Sequence, residues 1–266
     1  MNPNIQNPVI KAVFFDVDGT LISFKTNKIP ESTQEAIKKL RKKGIKVIVA
    51  TGRSINSLDH IKHMEFDGFI TFNGGYCITT DGNIMFKKAI DSSDIKGLIN
   101  YSRKFPLSFS LMYEDKIELS DATPEVVGMY GHLNLPVPPL HDKDNIDVDN
   151  VLQANIFLGP EDEKIFMEKV MPNSIASRWT PLFADVNPGG ITKQNGVENF
   201  CRYFGIDISE TMAFGDGGND ISMLKSVKIG VAMGNANDNV KEIADFITEE
   251  VDNHGIERAL RHFGLL

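Results

Sequence analysis

Short apolar runs recur at both ends of this chain, each stopping at a polar turn and each followed by a helical pattern. No other feature constrains the fold as much. Val9–Phe15, rich in Val, Ile and Phe, stops at Asp16-Val17-Asp18-Gly19-Thr20 and reads as a buried strand running into a turn. Ser32-x-x-Glu35 has the form of a capping box, and Gly44 follows the basic segment Lys38–Lys43 as a helix-ending glycine. Between them Ala36, Ile37 and Leu40 form the stripe such a helix buries. Ile45–Ala50 is a second apolar run, stopping at Thr51-Gly52-Arg53. Ser54 is placed to cap a helix reaching Met64, and a third strand, Phe69–Phe72, stops at Asn73-Gly74-Gly75.

The same rhythm returns late in the chain. Thr192–Gly205 reads as a helix, and Thr211–Phe214 as a strand stopping at Gly215-Asp216-Gly217-Gly218-Asn219-Asp220. A helix over Asp220–Ser226, a strand over Ile229–Met233, a helix over Asn237–Ala244 and a strand over Asp245–Thr248 follow, with a last helix ending at Phe263. Strands alternating with helices imply a mostly parallel sheet covered by helices on both faces. The middle lacks this alternation. It offers a hairpin in Ser108–Leu119, helices at Ser92–Phe105 and Glu161–Met171, a Pro-rich stretch over Leu135–Leu140 and an acidic run over Asp142–Asp149. The expected organisation is therefore an α/β core formed by residues 1–84 and 187–266, interrupted by an α+β insert over 85–186. An insert of about 100 residues has ordinary domain size.

Composition excludes several classes. Lys and Arg number 28 against 36 Asp and Glu, a net charge of −8. An acidic balance argues against nucleic acid, whose binders carry a basic footprint, and against docking on anionic membranes. No apolar stretch reaches the ~18 to 20 residues of a membrane span, and Met1–Pro8 lacks a signal-peptide apolar region. The 2 cysteines, Cys77 and Cys201, are too few for a disulfide framework. The expectation is a cytoplasmic protein that acts on a small molecule, with no nucleic-acid, membrane or protein partner implied.

Asp16, Thr51, Asn73 and Asp216 each end a core strand. Open α/β sheets bind ligands beyond the carboxyl ends of their strands, so these residues belong on one rim. Asp16 and Asp18, two apart, point the same way in extended chain, and Gly19 allows a sharp turn after them. Two such carboxylates repel unless positive charge lies between them. The acidic loop Asp216–Asp220 adds the hard oxygens that Mg²⁺ prefers. Thr51 and Gly52 offer a hydroxyl and backbone N–H groups at a helix start, a seat for an anion. Lys193 opens a helix against its dipole, which suggests pairing with an anion or with Asp16. Together these groups suit a phosphoryl group: a carboxylate nucleophile, a second carboxylate for proton transfer, a hydroxyl, a lysine and Mg²⁺. Neither a P-loop nor a G-x-G-x-x-G follows the first strand. His60 and His63 share a helix face without a third ligand and read as surface residues. Tyr113, His132, Arg178 and Trp179 read as packing or exposed groups, and Phe24, Phe66, Phe69, Phe157 and Phe166 as core.

Four ordered segments carry a resemblance: Asp16-Val-Asp-Gly-Thr20, Thr51-Gly-Arg53, Lys193 and Gly215-Asp-Gly-Gly-Asn-Asp220. They resemble the motifs of the haloacid dehalogenase superfamily. The insert, Phe72-Asn-Gly-Gly75 and Phe183–Val186 resemble its Cof-like sugar-phosphatase branch, which has a Rossmann-like parallel-sheet core and a large α/β cap. The resemblance implies Asp16 as nucleophile and Asp18 as acid and then base. It implies Thr51, Gly52, Lys193, Asn219 and the N–H groups of Val17 and Asp18 as phosphate contacts. Mg²⁺ would be bound by Asp16, the Asp18 carbonyl and Asp216, with Asp220 holding metal-bound water; Arg53 reads as structural or rim-forming. The reaction so implied is hydrolysis of phosphomonoesters of small metabolites, sugar phosphates first. A phosphatase of a cofactor such as pyridoxal phosphate, a phosphomutase and a phosphorylatable receiver-like module are the alternatives. Asp18 speaks against the last, because a nearby base shortens the life of a phospho-aspartate.

Overall fold

The computed structural model describes residues 9–58, 61, 63–132, 136–142 and 145–266, without the side chains of His132 and Trp179. The chain divides into two compact units, one formed by residues up to 86 together with 192–266, the other by 87–191. In chain order the first segment holds β1 (Ala12–Phe15), α1 (Glu31–Lys42), β2 (Lys46–Ala50), β3 (Gly68–Thr71), β4 (Tyr76–Thr79) and β5 (Ile84–Lys87). The insert holds α2 (Ser92–Ser102), β6 (Phe109–Met112), β7 (Ile117–Leu119), α3 (Pro124–His132), β8 (Gln153–Ile156), α4 (Pro160–Val170), β9 (Ser174–Thr180) and β10 (Phe183–Pro188). The last segment holds α5 (Lys193–Phe204), β11 (Thr211–Gly215), α6 (Ile221–Ser226), β12 (Ile229–Ala232), α7 (Asp238–Lys241), β13 (Phe246–Ile247) and α8 (Gly255–His262).

The core sheet runs β13-β12-β11-β1-β2-β3-β4-β5. Strands β13 through β3 pair in parallel, and β4 turns back antiparallel to β3. All four residues of β1, Ala-Val-Phe-Phe, are buried, because a parallel sheet is covered on both faces. Val13 and Phe15 join Val47, Val49, Phe214, Leu40 and Leu260 on the face under α1 and α8. Phe14 joins Ile48, Ile70, Val197, Phe200 and Leu224 on the face under α5 and α6. Each such Phe or Leu contributes roughly 1.5–3 kcal/mol by leaving water. The insert has its own antiparallel sheet, β7-β6-β8-β10-β9. Ile95 and Leu98 of α2 and Phe166 of α4 pack on Phe109, Leu111, Ile156 and Val186. The other sides of these strands carry paired polar groups: Ser110 meets Asn155 at 3.0 Å, and Asn187 donates to Gln153 at 3.0 Å.

Several boundaries differ from the sequence reading. β1 starts at Ala12, with Val9 exposed. The Ser32 box does not form. Pro30, at φ −56° and ψ 144°, starts α1 earlier, and Ser32 instead meets His254 Nδ1 at 2.8 Å. After Thr51 the described helix is one 3₁₀ turn, Ile55–Leu58; His60 lies outside the described residues and His63 is exposed. β5 completes the core sheet and β10 extends to Pro188, so the unit borders fall at 86/87 and 191/192 instead of 84/85 and 186/187. Phe24, read as core, is 67% exposed, on the loop after β1, whereas Phe66, Phe69 and Phe166 are buried and Phe157 is partly so. Tyr113 is buried, and Arg178 pairs with Glu163 and the Leu158 carbonyl. His132 and Trp179 have side chains outside the described set. No helix among the described residues is long and apolar enough to cross a membrane.

Candidate active site

The sheet order sets the site. β1 lies between β11 and β2, with β3 beyond, so Asp216, Asp16, Thr51 and Asn73 follow four neighbouring strands at their carboxyl ends. The register is tight, with Phe15 opposite both Phe214 and Val49. From β1 the chain proceeds to β2 and β3 on one side and returns through β11 on the other. The strand order therefore reverses at Asp16, where open sheets form their crevice. Gly19, at φ +82°, turns the chain immediately beyond, and a Cβ there would collide with the Asp216 carboxylate.

Asp16, Asp216 and Asp220 present carboxylate oxygens within 4.8 Å of one another. Lys193 reaches up from the first turn of α5, fully buried, and its Nζ donates to Asp16 Oδ1 and Asp220 Oδ1, each at 2.6 Å. The other oxygen of Asp220 accepts the N–H groups of Asp216 and Gly217, each at 2.9 Å. Asp220 thus orders the lysine and the acidic loop with both of its oxygens. Thr20 Oγ1 donates to Asp216 Oδ1 at 2.9 Å. Asn235 Nδ2 donates to the Gly19 carbonyl at 2.8 Å, and its Oδ1 accepts from Val251 N–H at 3.0 Å. Burial, followed by the Asp220 charge, holds the Asp16 carboxyl well above the usual carboxylate range, only partly offset by Lys193. Burial and the same Asp220 charge push Asp216 up to about 7, against the Thr20 hydrogen bond. Burial alone would lower Lys193, but Asp16 and Asp220 hold it above its ordinary value. Three carboxylates thus face one ammonium, an excess of negative charge that a divalent cation with oxygen ligands would cancel.

The outer edge is built differently. Arg53 grips Asp18 with two hydrogen bonds, Nε to Oδ2 at 2.8 Å and Nη2 to Oδ1 at 2.7 Å. Thr51 is buried, and its Oγ1 accepts the Arg53 N–H at 3.1 Å. Gly52 lies against the Asn73 carboxamide, whose oxygen accepts from Asn219 Nδ2 at 3.0 Å. The Val17 side chain is buried among core residues, so only its backbone can serve the rim. Sequence reasoning assigned no role to Asn235 or to the Thr20 hydroxyl. Thr20 could have been found from its place in the Asp-x-Asp-Gly-Thr run, but Asn235 carries no such signal.

Fold and rim together define an α/β enzyme with an acidic centre at its strand ends. The chain belongs to the haloacid dehalogenase-like hydrolase family, whose model matches residues 13–260, and it is a phosphatase. YkrA of Bacillus subtilis (strain 168) is 35% identical over 260 residues, covering 96% of this chain and 98% of that protein. Among solved structures, the phosphatase BT1666 from Bacteroides thetaiotaomicron superposes with a TM-score of 0.91 at 39% identity, covering 100% of this chain and 98% of that one. The HAD subclass IIB sugar phosphatase BT4131 gives a TM-score of 0.85 at 40% identity, covering 96% and 100%.

Proposed function

We propose that the protein is a Mg²⁺-dependent phosphomonoester hydrolase acting on small phosphorylated metabolites, chiefly sugar phosphates, through a phosphorylated Asp16. The observation that carries this reading is the cluster of Asp16, Asp216 and Asp220 at the strand ends, with buried Lys193 bridging Asp16 and Asp220. Its donor set, all hard oxygen with excess negative charge, suits Mg²⁺. Asp16, Asp216 and the backbone carbonyl of Asp18 would hold the ion. When bound it supplies charge neutralisation to the phosphoryl oxygens, the main requirement of phosphoryl transfer. Likeness to a sugar phosphatase over nearly the whole chain supports the substrate class.

A carboxylate oxygen of Asp16 attacks phosphorus in line as the bond from phosphorus to the leaving oxygen breaks. Asp18 passes a proton to that oxygen, then takes one from the water that cleaves the acyl phosphate and releases inorganic phosphate. Lys193 neutralises charge on Asp16 and the incoming phosphoryl group. The Thr51 hydroxyl, the Gly52 backbone and Asn219 hold phosphoryl oxygens.

Phosphate release from hexose, pentose and triose phosphates and from pyridoxal phosphate tests the reading. Sugar phosphates should turn over with Mg²⁺ and stop with EDTA, and Asp16→Asn should lose at least about 10⁴-fold in kcat. A folded Asp16→Asn protein with full activity, or turnover indifferent to EDTA, rejects it.

A further inference from the structure

We propose that Arg53 is a positioning residue for this chemistry: its guanidinium fork fixes the Asp18 carboxylate in the orientation needed to hand a proton to the leaving oxygen. The inference rests on the assignment of Asp18 as proton donor. Three observations carry it.

First, the grip is bidentate and well aligned, with both Asp18 oxygens bonded at 2.7 and 2.8 Å. A fork of this kind sets the plane of a carboxylate, which a single contact cannot do. Second, both side chains are more than a third exposed, at 37% and 36%. Ion pairs this exposed contribute roughly 0–1 kcal/mol to stability, so holding the fold together is a weak reason for the pair. An exposed aspartate without a partner would wander among rotamers, whereas proton transfer needs placement to within about 0.5 Å.

Third, the Arg53 backbone is held from both sides, by the Thr51 hydroxyl and by a turn of unusual backbone. Its N–H donates to Thr51 Oγ1 at 3.1 Å, and its carbonyl accepts from Phe72 N–H at 3.2 Å. Phe72 has φ 50° and Asn73 φ 53°, followed by Gly74 at φ 104°. Two successive left-handed residues that are not glycine cost on the order of 1–3 kcal/mol each, a strain that persists only where the surroundings enforce it. Here the strained turn grips the segment that carries the fork. The fork occupies one lone pair on each Asp18 oxygen and leaves the other free to carry the proton that passes to the leaving oxygen. Arg53 is thus committed to Asp18 and is not a phosphate ligand.

The test compares leaving groups. Transfer to Asp16 from a hexose 6-phosphate needs a proton on the departing alkoxide, whereas 2,4-dinitrophenolate departs unprotonated. For Arg53→Ala we expect kcat/KM on the hexose phosphate to fall roughly 100-fold, the usual loss for misplaced reacting groups, while 2,4-dinitrophenyl phosphate stays within about 3-fold. Arg53→Lys, a point charge without the fork, should fall between, and Asp18→Asn should show the same split. An equal fall on both substrates, no fall on either, or a gain on the hexose phosphate overturns the proposal. If Arg53→Ala does not fold by thermal melt, Arg53→Gln and Arg53→Lys carry the same comparison. Asp16→Asn, which removes both activities if the reading above holds, separates failure of that reading from failure of this one.

Discussion

On the inner side of the rim Lys193 and Asp220 are sealed from water, whereas on the outer side Arg53 and Asp18 are each more than a third exposed. The inner group gathers three carboxylates beside one lysine that bridges two of them, and the outer group pairs one with one. The difference separates two duties. Dry, unbalanced charge is costly to the fold, and it strengthens any interaction with a cation or an anionic phosphoryl group. Wet, balanced charge costs little, and it leaves a carboxylate open to proton exchange with substrate and solvent.

The contrast breaks most directly at Lys193. Replacing it with Met leaves Asp16 and Asp220 buried without a counter-ion, so stability should fall by about 3–5 kcal/mol and turnover should vanish. Removing Arg53 from the outer pair should cost under about 1 kcal/mol. Thermal melts of the two variants side by side measure this. A Lys193→Met protein melting within about 1 °C of wild type would erase the distinction.

A smaller effect concerns Asp216 in metal-free protein. Burial and Asp220 raise the folded carboxyl to about 7, against an unfolded value near 3.9. The folded state therefore holds this proton more tightly, and the contribution of Asp216 to stability declines as pH rises from about 4 and is lowest above 7. Asn cannot ionise, and its oxygen can still accept from Thr20. Metal-free Asp216→Asn should be the more stable protein at pH 8, by about 1–2 kcal/mol after allowing for its partial exposure, with the gap closing toward pH 5. Melts across that range decide it, and a variant less stable at pH 8 contradicts the picture of excess charge.

An effect of similar size in stability belongs to Asn235→Ala, which orphans the Gly19 carbonyl and the Val251 N–H. About 1–2 kcal/mol of stability and roughly tenfold in apparent Mg²⁺ affinity should be lost, read from the Mg²⁺ dependence of activity. Unchanged Mg²⁺ dependence would limit the inner group to its carboxylates and lysine.

Much of this was legible in the sequence because strand ends are marked by abrupt loss of apolar character. Asp16, Thr51, Asn73 and Asp216 stood at such ends, and sheet order then places them side by side. Contacts bridging distant segments were not legible. Arg53 reaches Asp18 across 35 positions, and Asn235 reaches Gly19 across 216, and neither spacing leaves a periodic trace. Local rules failed where a stronger one intervened, as when Pro30 fixed the start of α1 ahead of the Ser32 pattern. Phe24 shows the limit of residue type, since an aromatic on a loop reads as core until its exposure is seen.

One consequence of the sheet order concerns synthesis on the ribosome. β1 is the central strand, yet Ala12 pairs with Thr211, 199 positions downstream. At about 5–20 residues per second, the apolar Ala-Val-Phe-Phe edge waits roughly 10–40 s for β11 to be translated. During that interval neither Lys193 nor Asp216 exists for most of the wait, so the nascent chain is without its hydrolytic centre and carries an open, sticky edge. Pairing with β2 covers only the opposite edge of β1, so shielding of the waiting edge until β11 emerges is what this connectivity asks of the cell.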